Sequence, residues 1–201
     1  ANIQNEVAAV TNVFAEYGDF CKYPITIGNR DAIAGKIQEF RDKLTANGIE
    51  KVLAEVQALV TKTTFNVPRR AADGFDFNRA VLLMAVAEKR AGMKLNLFDA
   101  YINVIGGLRL DEPGADLPVV LAVASSYRDQ VIPEDLVAIG EVGLTGEIRS
   151  VSHMSHRLQE IARLGFKKVI IPKYGSEKLE IPEGLEVYRV RNIREAIEIS
   201  M

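Results

Sequence analysis

Tyr101–Asp116, YINVIGGLRLDEPGAD, and Gly140–Leu158, GEVGLTGEIRSVSHMSHRL, decide how this chain is read. The first opens as a β-strand, breaks at Gly106-Gly107, and crosses an acidic loop whose Pro113 leads into an apolar helix starting near Ala115. The second reads as a tight hairpin followed by a further helix. Its glycines at 140, 143 and 146 are spaced like a loose phosphate loop, but no helix follows them at once, and a hairpin accounts for them better.

Working outward, VLAEVQALV predicts an apolar strand carried on by TKTTF, and PRRAADGFD predicts a loop. Asp76 is placed to cap a helix over RAVLLMAVAEKRAG, whose apolar residues wrap most of its circumference; Gly92 ends it. LPVVLAVASSY predicts a second buried helix, LVAIGEV a strand, HMSHRLQEIARLG a third helix, and KKVIIP a strand. LEVYRV and NIREAIEI close the chain as strand and helix. This alternation predicts the α/β class. In residues 1–48, Ile3, Val7, Val10, Phe14 and Tyr17, then Ile33, Ile37, Phe40 and Leu44, recur at helical spacing and predict a hairpin of two amphipathic helices. Gly18 and YPITIGN separate them, and Asn47-Gly48 stops the second.

At 201 residues, 48% hydrophobic and a net charge of −2, the composition is that of one ordinary globular domain with an appendage. A single cysteine excludes a disulfide framework and fits a reducing cytoplasm. No apolar run approaches the roughly 20 residues of a membrane span, so no membrane partner is expected. The chain opens on Ala1 rather than Met, as a fragment does.

Several residues invite sharper readings. His153 and His156 stand three apart on one helical face, but no Cys or further His joins them, so no metal site is expected. Ser125 and Ser126 sit in an apolar helix, where hydroxyls usually bond back to the backbone. A Ser-His hydrolase built on Ser152 or Ser155 lacks a third group and an oxyanion hole. GNRDAIAGKI, Gly28–Ile37, has glycines too far apart for a phosphate loop and no hydroxyl after its Lys36, so no nucleotide or other cofactor is expected.

The order strand, GG, acidic loop with D-x-P-x-A, helix, G-E-[IV]-x-L-x-G-x-[IV], helix resembles the proteolytic domain of Lon-type proteases. More closely, it resembles the Lon-like C-terminal domain of the bacterial RadA (Sms) DNA repair family. AEVQALV, VPRRAADGFDFNRAVLLMAVAEKRAG, DAYINVIGGLRLDEPGADLPVVLAVASSYRDQ, the hairpin and LGFKKVIIPK carry that resemblance over residues 49–201, with residues 1–48 unmatched. The resemblance implies a ribosomal-protein-S5-domain-2-like mixed sheet with packed helices, here preceded by the helical hairpin. Lon's loop reads D-G-P-S-A-G with Ser as nucleophile; the matching residues here are Asp111, Glu112, Pro113, Gly114, Ala115 and Asp116. Lon's general-base Lys falls seventeen residues past the Gly of G-E-[IV], which is Arg157 here. A guanidinium stays charged at biological pH and cannot serve as that base. Gly114 and Arg157 are thus lost dyad positions, and the expected chain is catalytically inert.

The family is a hexameric DNA-dependent ATPase of recombinational repair, whose Lon-like domain serves ring assembly and DNA contact. The resemblance implies a cytoplasmic homo-hexamer with DNA and recombination proteins as partners; its ATPase would precede residue 49, and its zinc-ribbon cysteines have no counterpart beside the lone Cys21. Arg69, Arg70, Arg79, Arg109, Arg149 and Arg157 are the candidate phosphate contacts. Against them stand Asp73, Asp76, Asp111, Glu112 and Asp116, able to tie the same arginines into structural ion pairs. The DEPGAD loop and the helix face around Arg157 and Arg163 are candidate unlike surfaces for a ring. Two alternatives are a Ser-Lys-type peptidase relative with unrecognised activity, and an interaction scaffold whose partner binds the N-terminal helices.

Overall fold

The computed structural model describes residues 11–13, 54–107 and 109–201. The architecture is mixed α/β. One sheet has the order β1-β2-β4-β3, from Thr11–Val13, Ala54–Lys62, Phe98–Val104 and Arg70–Asp73. β2 runs antiparallel to both β1 and β4, while β3 runs parallel to β4. A second, all-parallel sheet has the order β5-β8-β9, from Leu136–Ala138, Lys168–Pro172 and Glu186–Val190. β6 (Glu141–Val142) and β7 (Ile148–Arg149) form a hairpin between them.

Two expectations change here. RAAD is a strand rather than part of a loop, because parallel pairing of Arg70–Asp73 with Ala100–Asn103 supplies the order that its weak β-formers lack. Thr11–Val13, expected inside a helix, pairs with Ala54–Val56 as a strand; the rest of the expected helical hairpin lies outside the described residues.

Among the described residues four helices cover the sheets: α1 (Phe77–Ala91), α2 (Asp116–Arg128), α3 (Met154–Arg163) and α4 (Ile193–Ser200). The Asp76 carboxylate accepts from the Arg79 amide to cap α1, and Gly92, at φ 74°, closes it in the left-handed conformation. α2 is the central element, buried continuously from Asp116 to Ser125. Its packing uses the period-two face of β2, where Ala54, Val56, Ala58 and Val60 are buried.

The parallel sheet is covered on both sides, so its strands read as unbroken apolar runs. Leu136, Ala138 and Ile170 join the core around α1, α2 and α4, whereas Val137, Ile139, Val169 and Ile171 pack with Leu158 and Ile161 of α3. The serines of α2 do not bond back along the helix. Ser126 Oγ accepts from Val60 N of β2 at 2.9 Å, and Ser125 Oγ donates to Gln130 O beyond the helix end.

Candidate functional site

The loop between β4 and α2 turns through Gly106 and Gly107, both at positive φ, and bridges to Phe75 through Leu110. Pro113–Ala115 then form a single 3-10 turn before α2, with Glu112 capping it: its Oε1 accepts from Gly114 N at 3.3 Å. The buried Gly114 backbone lies against the end of β5, where Gly140 N donates to Gly114 O at 3.2 Å and Leu117 N to Gly140 O at 3.0 Å. A Cβ on Gly114 would stand 3.3 Å from Glu112 Oε1 and 3.4 Å from Ile139 Cγ2. A Cβ there would be tight against the Glu112 carboxylate and in ordinary contact with Ile139 and Val151.

Arg157, on α3, reaches the same carboxylate. Its Nη2 lies 3.1 Å from Glu112 Oε1, its Nε donates to Ser152 O at 2.9 Å, and its side chain is only 4% exposed. Gly114 and Arg157, 43 residues apart (157 − 114), therefore meet through Glu112. The junction offers a capped glycine and a carboxylate paired to a permanently charged guanidinium; positions 114 and 157 carry neither the hydroxyl nor the amine of a Ser-Lys pair. Arg157 pairs with the DEPGAD loop of its own chain, and Arg163 pairs with Glu160.

A second buried ion pair lies beside it. The Asp116 carboxylate, 1% exposed, receives both Nε (2.9 Å) and Nη2 of Arg79 together with Val142 N at 3.0 Å, while Arg79 Nη2 also donates to Val142 O at 2.9 Å. The hydrogen bond from Arg79 to Asp116 pushes the guanidinium pKa up. Four hydrogen bonds thus tie α1, α2 and the hairpin together.

The remaining candidate arginines, Arg69, Arg70, Arg109 and Arg149, each have local partners of their own. Arg70 Nη2 donates to Leu95 O at 2.7 Å and its Nη1 to Phe98 O, closing the turn before β4. The Arg69 guanidinium lies over the Phe65 ring at 3.6 Å, and the Arg69 amide donates to Asp99, holding that carboxyl below the usual carboxylate range. Arg109 pairs with Asp111 at 3.1 Å, and Arg149 pairs with Glu147; both arginines are exposed. Thr145 and Arg149 hold the Glu147 carboxyl down at about 2.

Of the five carboxylates weighed against the arginines, Asp111, Glu112 and Asp116 form the pairs. Asp73 and Asp76 instead line a cleft of about 430 Å³ at the ends of β3 and β4. His153 and His156 are exposed at the start of α3, rings 6.5 Å apart. Among the described residues no group of three metal-ligating side chains converges, and no helix is long and apolar enough to cross a membrane. Sequence reasoning missed Glu112 as the hub; its place one residue before Pro113, as an N-cap, was the available signal.

Comparison with known proteins places these features. Residues 1–62 match the model of a domain of unknown function, DUF3502, and residues 83–175 match that of subunit ChlI of Mg-chelatase. The chain is 50% identical over 154 residues to the DNA repair protein RadA of Halalkalibacterium halodurans, covering 77% of this chain and 34% of that protein. It is 49% identical over the same length to the RadA protein of Bacillus subtilis, with the same coverage of both chains. With the RadA protein of Listeria monocytogenes it shares 48% over 151 residues, or 75% of this chain and 33% of the relative. The chain thus spans about a third of the length of these curated relatives.

Proposed function

Because about three quarters of this chain is RadA-type sequence, we propose that it is the non-catalytic Lon-like domain of a RadA-type protein in recombinational DNA repair, serving ring assembly and DNA contact. On this reading the sheets and helices follow the ribosomal-protein-S5-domain-2-like arrangement, and the chain works in the cytoplasm as a hexameric ring alongside recombination proteins. The observation that carries the inert part is the Glu112 junction, where Gly114 and Arg157 occupy the dyad positions and are bound to one carboxylate. An ancestral active-site loop kept as a structural tie explains why the acidic stretch persists without its hydroxyl.

DNA contact falls to Arg69, Arg109 and Arg149, which are exposed, with Arg70 at the edge of β3; Arg79 and Arg157 act through the fold. Arg69 and Arg70 lie next to each other on a loop and strand start that carry no acidic side chain from Thr63 to Arg70. The test is a DNA titration by fluorescence anisotropy at several salt concentrations. Sequence-independent binding that falls steeply with salt is expected, since each phosphate contact releases condensed counterion. R69A/R70A should flatten the slope; no binding at low salt by either monomer or assembly would refute the DNA role.

A further inference from the structure

Two surfaces that the Glu112 junction does not use differ in shape and in charge. Leu144, at the tip of the β6–β7 hairpin, is 66% exposed. The tip beneath it is braced: Gly143 N donates to Glu147 O at 3.0 Å, Gly146 N to Gly143 O at 2.9 Å, and Ile193 N to Gly146 O at 2.9 Å. Glu147 also gathers the Thr145 amide, at 3.1 Å, and the Thr145 hydroxyl. Arg90 lies against this tip, 2.9 Å from where a Cβ on Gly146 would stand, and Arg194 donates to Arg90 O at 3.0 Å. The tip is therefore a rigid apolar knob flanked by two exposed guanidinium groups.

The cleft at the ends of β3 and β4 has the opposite character. Asp73 and Asp76 bring carboxylates to its rim, and the half-exposed Phe77 is the main apolar side chain it offers, since Phe75 and Val104 are almost fully buried. Arg109 also lines it, but faces Asp111 at 3.1 Å.

Resting on the ring reading above, we propose that Leu144 of one copy seats in this cleft of the next copy, with Arg90 and Arg194 facing Asp73 and Asp76. Within one protomer the two surfaces cannot meet. The knob stands beside the C-terminal end of α1 and the cleft at its N-terminus, and a 15-residue helix spans about 22 Å. Unlike patches at opposite ends of one element make a head-to-tail contact, which generates a ring where the rotation closes. A braced tip loses little conformational freedom on docking, so a modest apolar contact is not offset by ordering the loop.

The test mixes two variants, Leu144→Cys and Phe77→Cys, each carrying Cys21→Ser, under mild oxidation. A disulfide-linked heterodimer is expected from the mixture, and a ladder ending at six from a chain carrying both substitutions. Leu144→Asp should raise the concentration needed for assembly at least tenfold in sedimentation while circular dichroism is unchanged. No cross-link, with assembly of the Leu144→Asp variant unaltered, overturns the knob-and-cleft contact and leaves the ring. A wild-type chain that sediments as a monomer at every concentration overturns both.

Discussion

Replacing Arg79 by Met would strand the most deeply buried carboxylate among the described residues. Asp116 is 1% exposed and has three donors from outside α2: Arg79 Nε, Arg79 Nη2 and the Val142 amide. Met matches the length of the Arg stem but removes two of those donors and, among the described residues, the countercharge in contact. Removing one partner of a buried pair costs about 3–5 kcal/mol. Because the Arg79 side chain is itself 33% exposed, water reaches the edge of the pair, and the low end, about 3 kcal/mol, is expected. Arg149→Met breaks a pair whose side chains are 59% and 33% exposed, and should cost about 0.5 kcal/mol. Equilibrium unfolding in urea reads the difference directly. Thermal melts should show the Arg79 variant lowered by roughly 6–12 °C, at about 2–4 °C per kcal/mol. Adding Asp116→Ala to Arg79→Met should cost less than the sum of the single changes, since the charge that was stranded is gone. Equal losses for the Arg79 and Arg149 variants would refute the claim that this pair ties α1, α2 and the hairpin together.

Three further outcomes are expected. The Glu147 carboxyl, held at about 2 first by the Thr145 hydroxyl, contributes stability that is complete above the ordinary glutamate pKa of about 4.3 and is lost as pH falls through 2; stability against pH should lose part of that slope in Glu147→Gln, and an unchanged slope would contradict it. Gly114→Ala places a Cβ 3.3–3.6 Å from Glu112, Ile139 and Val151 and should cost about 1–2 kcal/mol in urea unfolding, whereas a neutral result would show that the junction yields easily. Ser126→Ala leaves the Val60 amide without its acceptor and should cost about 1–3 kcal/mol, with faster hydrogen exchange at that amide as the local readout.

The sequence is legible where a local rule and the tertiary environment agree. Asp76 and Gly92 bound α1 as their capping chemistry requires, and α2 follows Pro113 as expected. Legibility fails where a distant partner decides. Arg70–Asp73 has poor β-formers and becomes a strand only because β4 pairs with it. LVAIGEV reads as one strand, but Gly140 breaks it into β5 and β6, which belong to different sheets. A Cβ at Gly140 would lie 2.5 Å from Ile148 Cγ2, so only glycine lets the hairpin fold back there. Glu112, which joins Gly114 and Arg157 in space, was not legible, because an acidic loop residue looks the same whether it faces water or a buried guanidinium.

The central claim is that the Glu112 junction is a tie and not a catalytic site. Hydrolysis of unfolded casein and of fluorogenic peptides by the purified chain, with and without ATP, tests it most directly. No turnover above buffer is predicted. Turnover that survives repurification and disappears on a single substitution in this chain would contradict it.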